Sequence, residues 1–371
     1  MRLSETFTQL GGYPMGVVDD ARAKAEALGI ELIEFGIGEP HEDTPEFIRQ
    51  ALKDAVVAES RYPRAVGLPA TRAAITGWIE RRFGVTLDPD TDVIPTFGSK
   101  EAIFHLAQIV GGDTVVVTTP GYTPPLRGAL FAGKDVVELA LTADNDFLPD
   151  LDHVPWDRLS ILWLNYPNNP TGATVGIDFL ERAAALCQAN DAILACDEAY
   201  SEIWFDQPPA SGLQVSDLTN VIVFNTLSKR SSMPGYRIGL AAGDPELIAA
   251  LKRYRPNVGL APQEIVQHAA IAAWADETHV EAMRSVYAAK RDVMLPALQA
   301  SGLRHVGGGA SFFLWMQTPE PDEQERVLAL VEKGIICAAG SAFGAPGAGH
   351  VRFALVPTLE QCRQAAALLA A

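Results

Sequence analysis

Residues 225–239 read NTLSKRSSMPGYRIG and follow directly on the apolar run Val221–Phe224 (VIVF). A short run that is apolar throughout is the pattern of a strand covered on both faces. A hydroxyl-rich string with Pro and Gly after it reads as a loop at that strand's carboxyl end. One lysine, Lys229, stands among the hydroxyls, eight residues before Arg237.

The same pattern recurs upstream. Thr114–Thr118 (TVVVT), Val136–Leu141 (VVELAL), Ile161–Leu164 (ILWL) and Ala192–Cys196 (AILAC) read as strands apolar on both faces. Helical stretches such as Phe179–Ala189 supply the crossovers, which predicts an α/β fold with a mostly parallel sheet sandwiched by helices. Ligands of such sheets sit beyond the carboxyl ends of the strands. Polar residues stand at four of those ends: Tyr122, Asn169, Asp197 and Lys229. After Pro262 the pattern changes to long helices (Gln263–Ala275, His279–Ala300) and then to alternating strands such as Ser311–Met316 and Val351–Val356, which predicts a smaller α+β domain.

Composition narrows the classes. The 371 residues suit one large and one smaller domain. A net charge of −17, from 29 basic and 46 acidic residues spread along the chain, disfavours nucleic acid and anionic membranes as partners. The four cysteines form no CxxC pair and read as buried thiols of a reducing compartment, and no metal is expected. No apolar run reaches about 18 residues, and residues 1–14 lack an apolar signal core, so a cytoplasmic protein is expected.

Taken with YPNNPTGA (166–173) and CDEAY (196–200), the opening stretch resembles the signature of aspartate-aminotransferase-like enzymes of fold type I, which use pyridoxal 5′-phosphate. The resemblance runs from FGIGEP (35–40) to RFALVP (352–357). It implies that Lys229 holds the cofactor aldehyde as an imine and then serves as the base, while Asp197 keeps the pyridine nitrogen protonated. A helix cap is the other reading of Asp197, since Glu198 and Ala199 suit a helix start. Tyr200 and Asn169 match groups that bond the ring's phenolic oxygen, and Tyr122 matches an aromatic that stacks on the ring. Gly98, Ser99 and Lys100 precede a helical pattern, so their N–H groups suit an anion. With Thr226, Ser228 and Arg237 they make the implied phosphate cradle. Arg352 matches the clamp on the substrate α-carboxylate, and Gly38 lines the same place. Tyr62 matches a tyrosine that reaches the other subunit's phosphate, which implies a homodimer.

By the same resemblance residues 1–40 join 263–371 in a discontinuous small domain, and 41–262 form the large cofactor-binding domain. LSKRSSMPG, AAWADETHV (272–280) with Tyr287 and Lys290, and FFLWM (312–316) are similar to the N-succinyldiaminopimelate aminotransferase subgroup. Ile238 and Gly239 depart from it, where relatives carry a serine after the arginine. The expected reaction moves an amino group between glutamate and a keto acid, N-succinyl-2-amino-6-oxopimelate. The distal carboxylates of that acid call for further cations among Arg61, Arg64, Lys252, Arg253 and Arg255. Alternatives are aromatic, neutral or aspartate-type specificity, a C–S β-lyase, and the effector-binding module of a transcription regulator.

Overall fold

The computed structural model describes residues 2–9, 22–23, 26–27, 29–320 and 322–370. Strand β1 (Ile33–Glu34) lies apart from the main sheet, which is built from β2 (Val93–Thr96), β3 (Thr114–Thr119), β4 (Asp135–Ala140), β5 (Leu159–Asn165), β6 (Ile193–Asp197), β7 (Val221–Thr226) and β8 (Gly239–Gly243). Their order is β2-β8-β7-β6-β5-β3-β4. Strands β3 to β7 pair in parallel, and β8 runs antiparallel to both β7 and β2. Every residue of β3, β5, β6 and β7 is buried, as strands covered by helices on both faces must be.

Two details differ from the sequence reading. Asp135–Ala140 is the edge of the sheet, with Asp135, Glu138 and Ala140 exposed, and is not apolar on both faces. The antiparallel strand β8 was not expected, because GLAAG carries few side chains of the β-branched or aromatic kind. Small residues are required there: a Cβ on Gly239 would lie 2.5 Å from the Asn225 carbonyl oxygen.

The smaller antiparallel sheet comprises β9 (Arg304–His305), β10 (Phe313–Gln317), β12 (Ala338–Ala339) and β13 (His350–Ala354), in the order β12-β13-β10-β9. Strand β11 (Ile335–Ile336) pairs in parallel with β1, tying the segment before residue 40 to the C-terminal part. One core beneath the small sheet joins Ile33 and Phe35 to Met294, Leu314, Phe353 and Leu369. Helix Glu264–Ala275 instead packs on helices Glu46–Asp54 and Pro69–Phe83, its Ala269, Ala273 and Trp274 sharing a core with Trp78. The division into 41–262 and 1–40 plus 263–371 remains a proposal, and this packing argues for placing the second boundary after residue 275. Within 1–40, residues 1, 10–21, 24, 25 and 28 lie outside the described part. Among the described residues no helix is long and apolar enough to cross a membrane.

Local signals explain the element ends. Helix Pro69–Phe83 has Pro at its first position, and Gly84, at φ +71°, returns its N–H to the Glu80 carbonyl at 2.9 Å. The chain leaves β3 for the edge strand β4 and returns across β3 to β5, so a switch in strand order falls between β3 and β5. A crevice opens at the carboxyl ends of such strands.

Candidate active site

A cavity of about 990 Å³ occupies that crevice. Tyr122 enters its wall after β3, Asn169 after β5, Asp197 and Tyr200 from the end of β6, and Thr226, Ser228, Lys229 and Arg237 after β7. Ser99 and Lys100 line it from the start of helix Lys100–Ile109, and Phe313, Ala338 and Arg352 from the small sheet. The segment Gly36–Glu39 closes one side. Twelve of the fourteen residues picked out in the sequence therefore meet on one wall; Gly98 sits just behind it, and Tyr62 is fully exposed and away from it.

Lys229 lies on a four-residue helix, Leu227–Arg230, whose start is capped by Thr226: its hydroxyl accepts the Ser228 N–H at 3.1 Å. The Lys229 ammonium donates to the Gly38 carbonyl oxygen. Burial, and next the charge of Arg352, lower its pKa to about 8, with Glu39 opposing and Arg237 assisting. A lysine so shifted holds a substantial neutral fraction near neutral pH, which a nucleophile or base requires.

Asp197 is buried at the end of β6, and its carboxylate accepts the Ala199 N–H at 3.2 Å. Burial pushes its pKa up to about 7, that one hydrogen bond opposing. The shift corresponds to roughly 4 kcal/mol against ionisation, which a cationic N–H donor in the cavity would offset. The neighbouring Asn165 locks the floor: its amide donates to the Asp197 carbonyl at 2.9 Å and its Oδ1 accepts the Asn169 N–H at 3.0 Å. Tyr200 packs edge-on against Phe312 and Phe313, and burial raises its phenol pKa.

Arg352 extends from β13 over the cavity. It donates to Asn169 Oδ1 at 2.8 Å and to the Gly36 carbonyl oxygen at 2.5 Å, with its guanidinium carbon 4.3 Å from the Phe313 ring centre and 4.5 Å from that of Phe343. Opposite, Gly98 has φ +65°, and a Cβ there would come 2.6 Å from Arg237 Nη2. Arg237, itself at φ +53°, is steadied by its Nη1 donating to the Pro234 carbonyl at 3.0 Å.

These features fit pyridoxal phosphate. A buried carboxylate without a cationic partner suits a pyridinium, a pKa-lowered lysine suits an aldehyde, and the start of a ten-residue helix beside a guanidinium suits a phosphate. The cap reading of Asp197 holds only locally: it accepts the Ala199 N–H, yet no helix follows within the next residues.

Several residues of the wall were not picked out in the sequence. Glu39, Phe104, Arg127, Phe343 and Asn165 are brought there, or behind there, by the folding of distant segments; only the neighbourhood of FGIGEP and NNPTG hinted at two of them. The proposed distal cations are not on this wall. Arg255 is fully buried with Glu101 at 2.9 Å, Lys252 donates to the Asp90 carbonyl at 2.7 Å, and Arg61, Arg64 and Arg253 do not line the cavity. Lys100 and Arg127 line it instead.

Comparison with known proteins agrees with this chemistry. The family described as Aminotransferase class I and II matches residues 30–369. The LL-diaminopimelate aminotransferase of Nitratidesulfovibrio vulgaris is 38% identical over 98% of this chain and 96% of its own length. Among solved structures, a single mutant of aspartate aminotransferase from Thermus thermophilus superposes with a TM-score of 0.92 at 30% identity, covering 100% of this chain and 99% of that one. A probable N-succinyldiaminopimelate aminotransferase from Thermus thermophilus gives 0.88 at 30% identity over 96% and 98%. With the cavity, its lysine and its unpaired carboxylate in place, the chain belongs to the class I and II aminotransferases, fold type I enzymes that work with pyridoxal 5′-phosphate on amino and keto acids.

Proposed function

We propose that this aminotransferase moves an amino group between LL-diaminopimelate and 2-oxoglutarate. The observation that carries this reading is the charge on the cavity wall: Glu39 lies with Lys100 and Arg127, besides Arg352. A free diaminopimelate presents an ammonium and a carboxylate at its far end, and a mixed wall complements both. An N-succinyl group turns that ammonium into an amide and adds a carboxylate, which removes the substrate cation that Glu39 would meet. The name of the Nitratidesulfovibrio relative supports the same substrate; the LSKRSSMPG string and the Thermus protein favour the succinylated one as the second reading.

In this reading Ser99, Ser228, Thr226 and Arg237 hold the cofactor phosphate, with the helix start at Lys100 behind it. Asp197 would face the ring nitrogen and stay ionised there, Tyr200 and Asn169 would hold the phenolic oxygen, and Tyr122 would cover the ring. Bound pyridoxal phosphate supplies the electron sink for the electrons released at the substrate α-carbon. Lys229 Nζ would take the proton from the substrate α-carbon and hold it for return, a transfer helped by its lowered pKa. Arg352 exchanges its Gly36 contact for the α-carboxylate while Asn169 keeps its orientation. Phe313 and Phe343 flank that guanidinium and keep water from it. Tyr62 reaches the phosphate of a second copy, making the working enzyme a homodimer.

Initial rates with 2-oxoglutarate and each of LL-diaminopimelate, its N-succinyl derivative, aspartate and an aromatic amino acid test the reading. We expect kcat/KM for LL-diaminopimelate to lead by about tenfold or more. A lead for the succinyl compound overturns the substrate, and pyruvate plus ammonia from cystathionine without an acceptor overturns the reaction.

A further inference from the structure

Directly after Lys229 come two residues that amino transfer leaves unused. Arg230 and Ser231 are buried, at 1% and 0% exposure. They face the junction between helices Glu264–Ala275 and Thr278–Ala300, the place of the ADETH string within 272–280. There His279 Nδ1 lies 2.7 Å from Asp276 Oδ2, and its Nε2 lies 2.8 Å from Ser231 Oγ. Arg230 Nη1 donates to Ser231 Oγ at 3.2 Å and to the Ala273 carbonyl at 2.8 Å; its Nη2 donates to Glu277 Oε1 at 2.7 Å and the Asp276 carbonyl at 3.3 Å. Arg230 thus caps the last carbonyls of helix Glu264–Ala275, where the helix dipole favours a cation.

Proton directions follow from the donor inventory. Arginine only donates, so Ser231 Oγ accepts from Arg230; an ionised Asp276 only accepts, so His279 Nδ1 carries a hydrogen. A neutral imidazole then leaves Nε2 to accept the Ser231 O–H. The result is one directed chain, Arg230 to Ser231 to His279 to Asp276, with each of these contacts matched. A second proton on His279 would set two donors against Ser231 Oγ, beside the Arg230 charge. The charged groups facing His279 are Asp276 on its own turn and Arg230 across from it, while helix Glu46–Asp54 presents the Phe47 ring, 5.5 Å away between centres. Burial lowers the imidazole pKa first of all, so the neutral form prevails at neutral pH. No substrate reaches Ser231, which is fully covered, so this is not a hydrolytic triad.

We propose that Ser231, His279 and Asp276 are positioning residues for Lys229. The inference rests on reading Lys229 as the cofactor lysine. A four-residue helix cannot hold its own orientation. The directed chain anchors its far end to the junction at 276–279, while Thr226 anchors its start. The direction in which Lys229 Nζ enters the cavity is set from both ends.

The test uses Ser231→Ala, His279→Phe and His279→Gln as holoenzymes, with the same proteins stripped of cofactor for amide hydrogen exchange. Borohydride reduction and peptide mapping locate the cofactor lysine independently. Expected for the first two variants are a kcat about tenfold lower with KM within about twofold, a shifted pH midpoint of the cofactor's visible absorbance, and roughly fivefold faster exchange at 227–232 with helix Pro69–Phe83 unchanged. His279→Gln, whose Oε1 can accept from Ser231, should recover most of kcat. Unchanged exchange at 227–232 and an unchanged spectral midpoint overturn the proposal, whatever happens to the melting temperature. If His279→Phe fails to fold, Ser231→Ala alone decides. Attachment of the cofactor to another lysine overturns the Lys229 reading, and this proposal with it.

Discussion

Arg352 Nη1 stands 2.8 Å from Asn169 Oδ1, a bond between the small sheet and the loop after β5 of the main sheet. The two residues are 183 positions apart in the chain and share no local pattern. Their pairing orients the planar guanidinium before any substrate arrives, with Phe313 and Phe343 stacked about it. Arg352→Lys keeps the charge and loses the fork. KM should rise by roughly 10- to 100-fold for both amino and keto acids, the value of one charge-assisted hydrogen bond, with a smaller change in kcat. Steady-state kinetics check this, and equal KM values for variant and wild type would remove Arg352 from carboxylate binding.

Asp197 predicts a pH dependence for the protein without cofactor. Its folded pKa is raised from 3.8 to about 7, so the folded state keeps a proton that the unfolded chain releases between those values. The stability contributed by the protonated form is fully present below pH 3.8 and lost as pH rises through about 7. Glu198, raised from 4.5 to about 8 by burial, acts with the same sign. Asp197→Asn removes the first of these contributions. Its urea midpoint relative to wild type should therefore be higher at pH 8 than at pH 5. An equal difference at the two pH values would contradict the burial argument. In the loaded enzyme the same variant should lose about 100-fold or more in kcat, because an amide does not hold the ring nitrogen protonated.

Gly98 carries two constraints at once, a φ of +65° and the Arg237 guanidinium 2.6 Å from where a Cβ would sit. Gly98→Ala should cost about 1 kcal/mol in backbone strain and displace the Arg237 guanidinium on the cavity wall. Cofactor affinity, read by fluorescence titration of the stripped protein, should fall by about tenfold or more. A variant that binds as tightly as wild type would show that Arg237 yields freely.

Tyr62 is fully exposed and lies away from its own cavity, although an aromatic ring gains most from being covered. If it completes the cavity of a second copy, Tyr62→Phe should weaken cofactor binding only in the dimer. Sedimentation of the wild type across protein concentration gives the assembly, and titration of the variant gives the affinity. A wild-type protein that stays monomeric at micromolar concentration while fully active would refute the shared site.

Much of the fold was readable because strands buried on both faces have to be written as continuous apolar runs: VIVF and ILWL could serve little else. Strand β8 escaped because its small residues answer to close approach of neighbouring backbone and not to strand preference. Edge strand β4 looked like an interior one because its valines, half-buried, read the same in either place. The distal cations were misplaced for a related reason: Arg255 resembles a surface arginine in sequence but is buried against Glu101.

By itself the sequence determined the α/β class and the placement of Lys229 and Asp197 at neighbouring strand ends, since each depends on a residue's relation to the strand just before it; the roles of the two were implied by resemblance alone. Tertiary structure alone decided what surrounds them. It set Arg352 against Asn169, the Gly38 carbonyl against Lys229, Gly98 against Arg237, and the 276–279 junction against Ser231. Each of these joins segments tens to hundreds of residues apart, and such contacts follow from how the two sheets and their helices pack, which no local periodicity encodes.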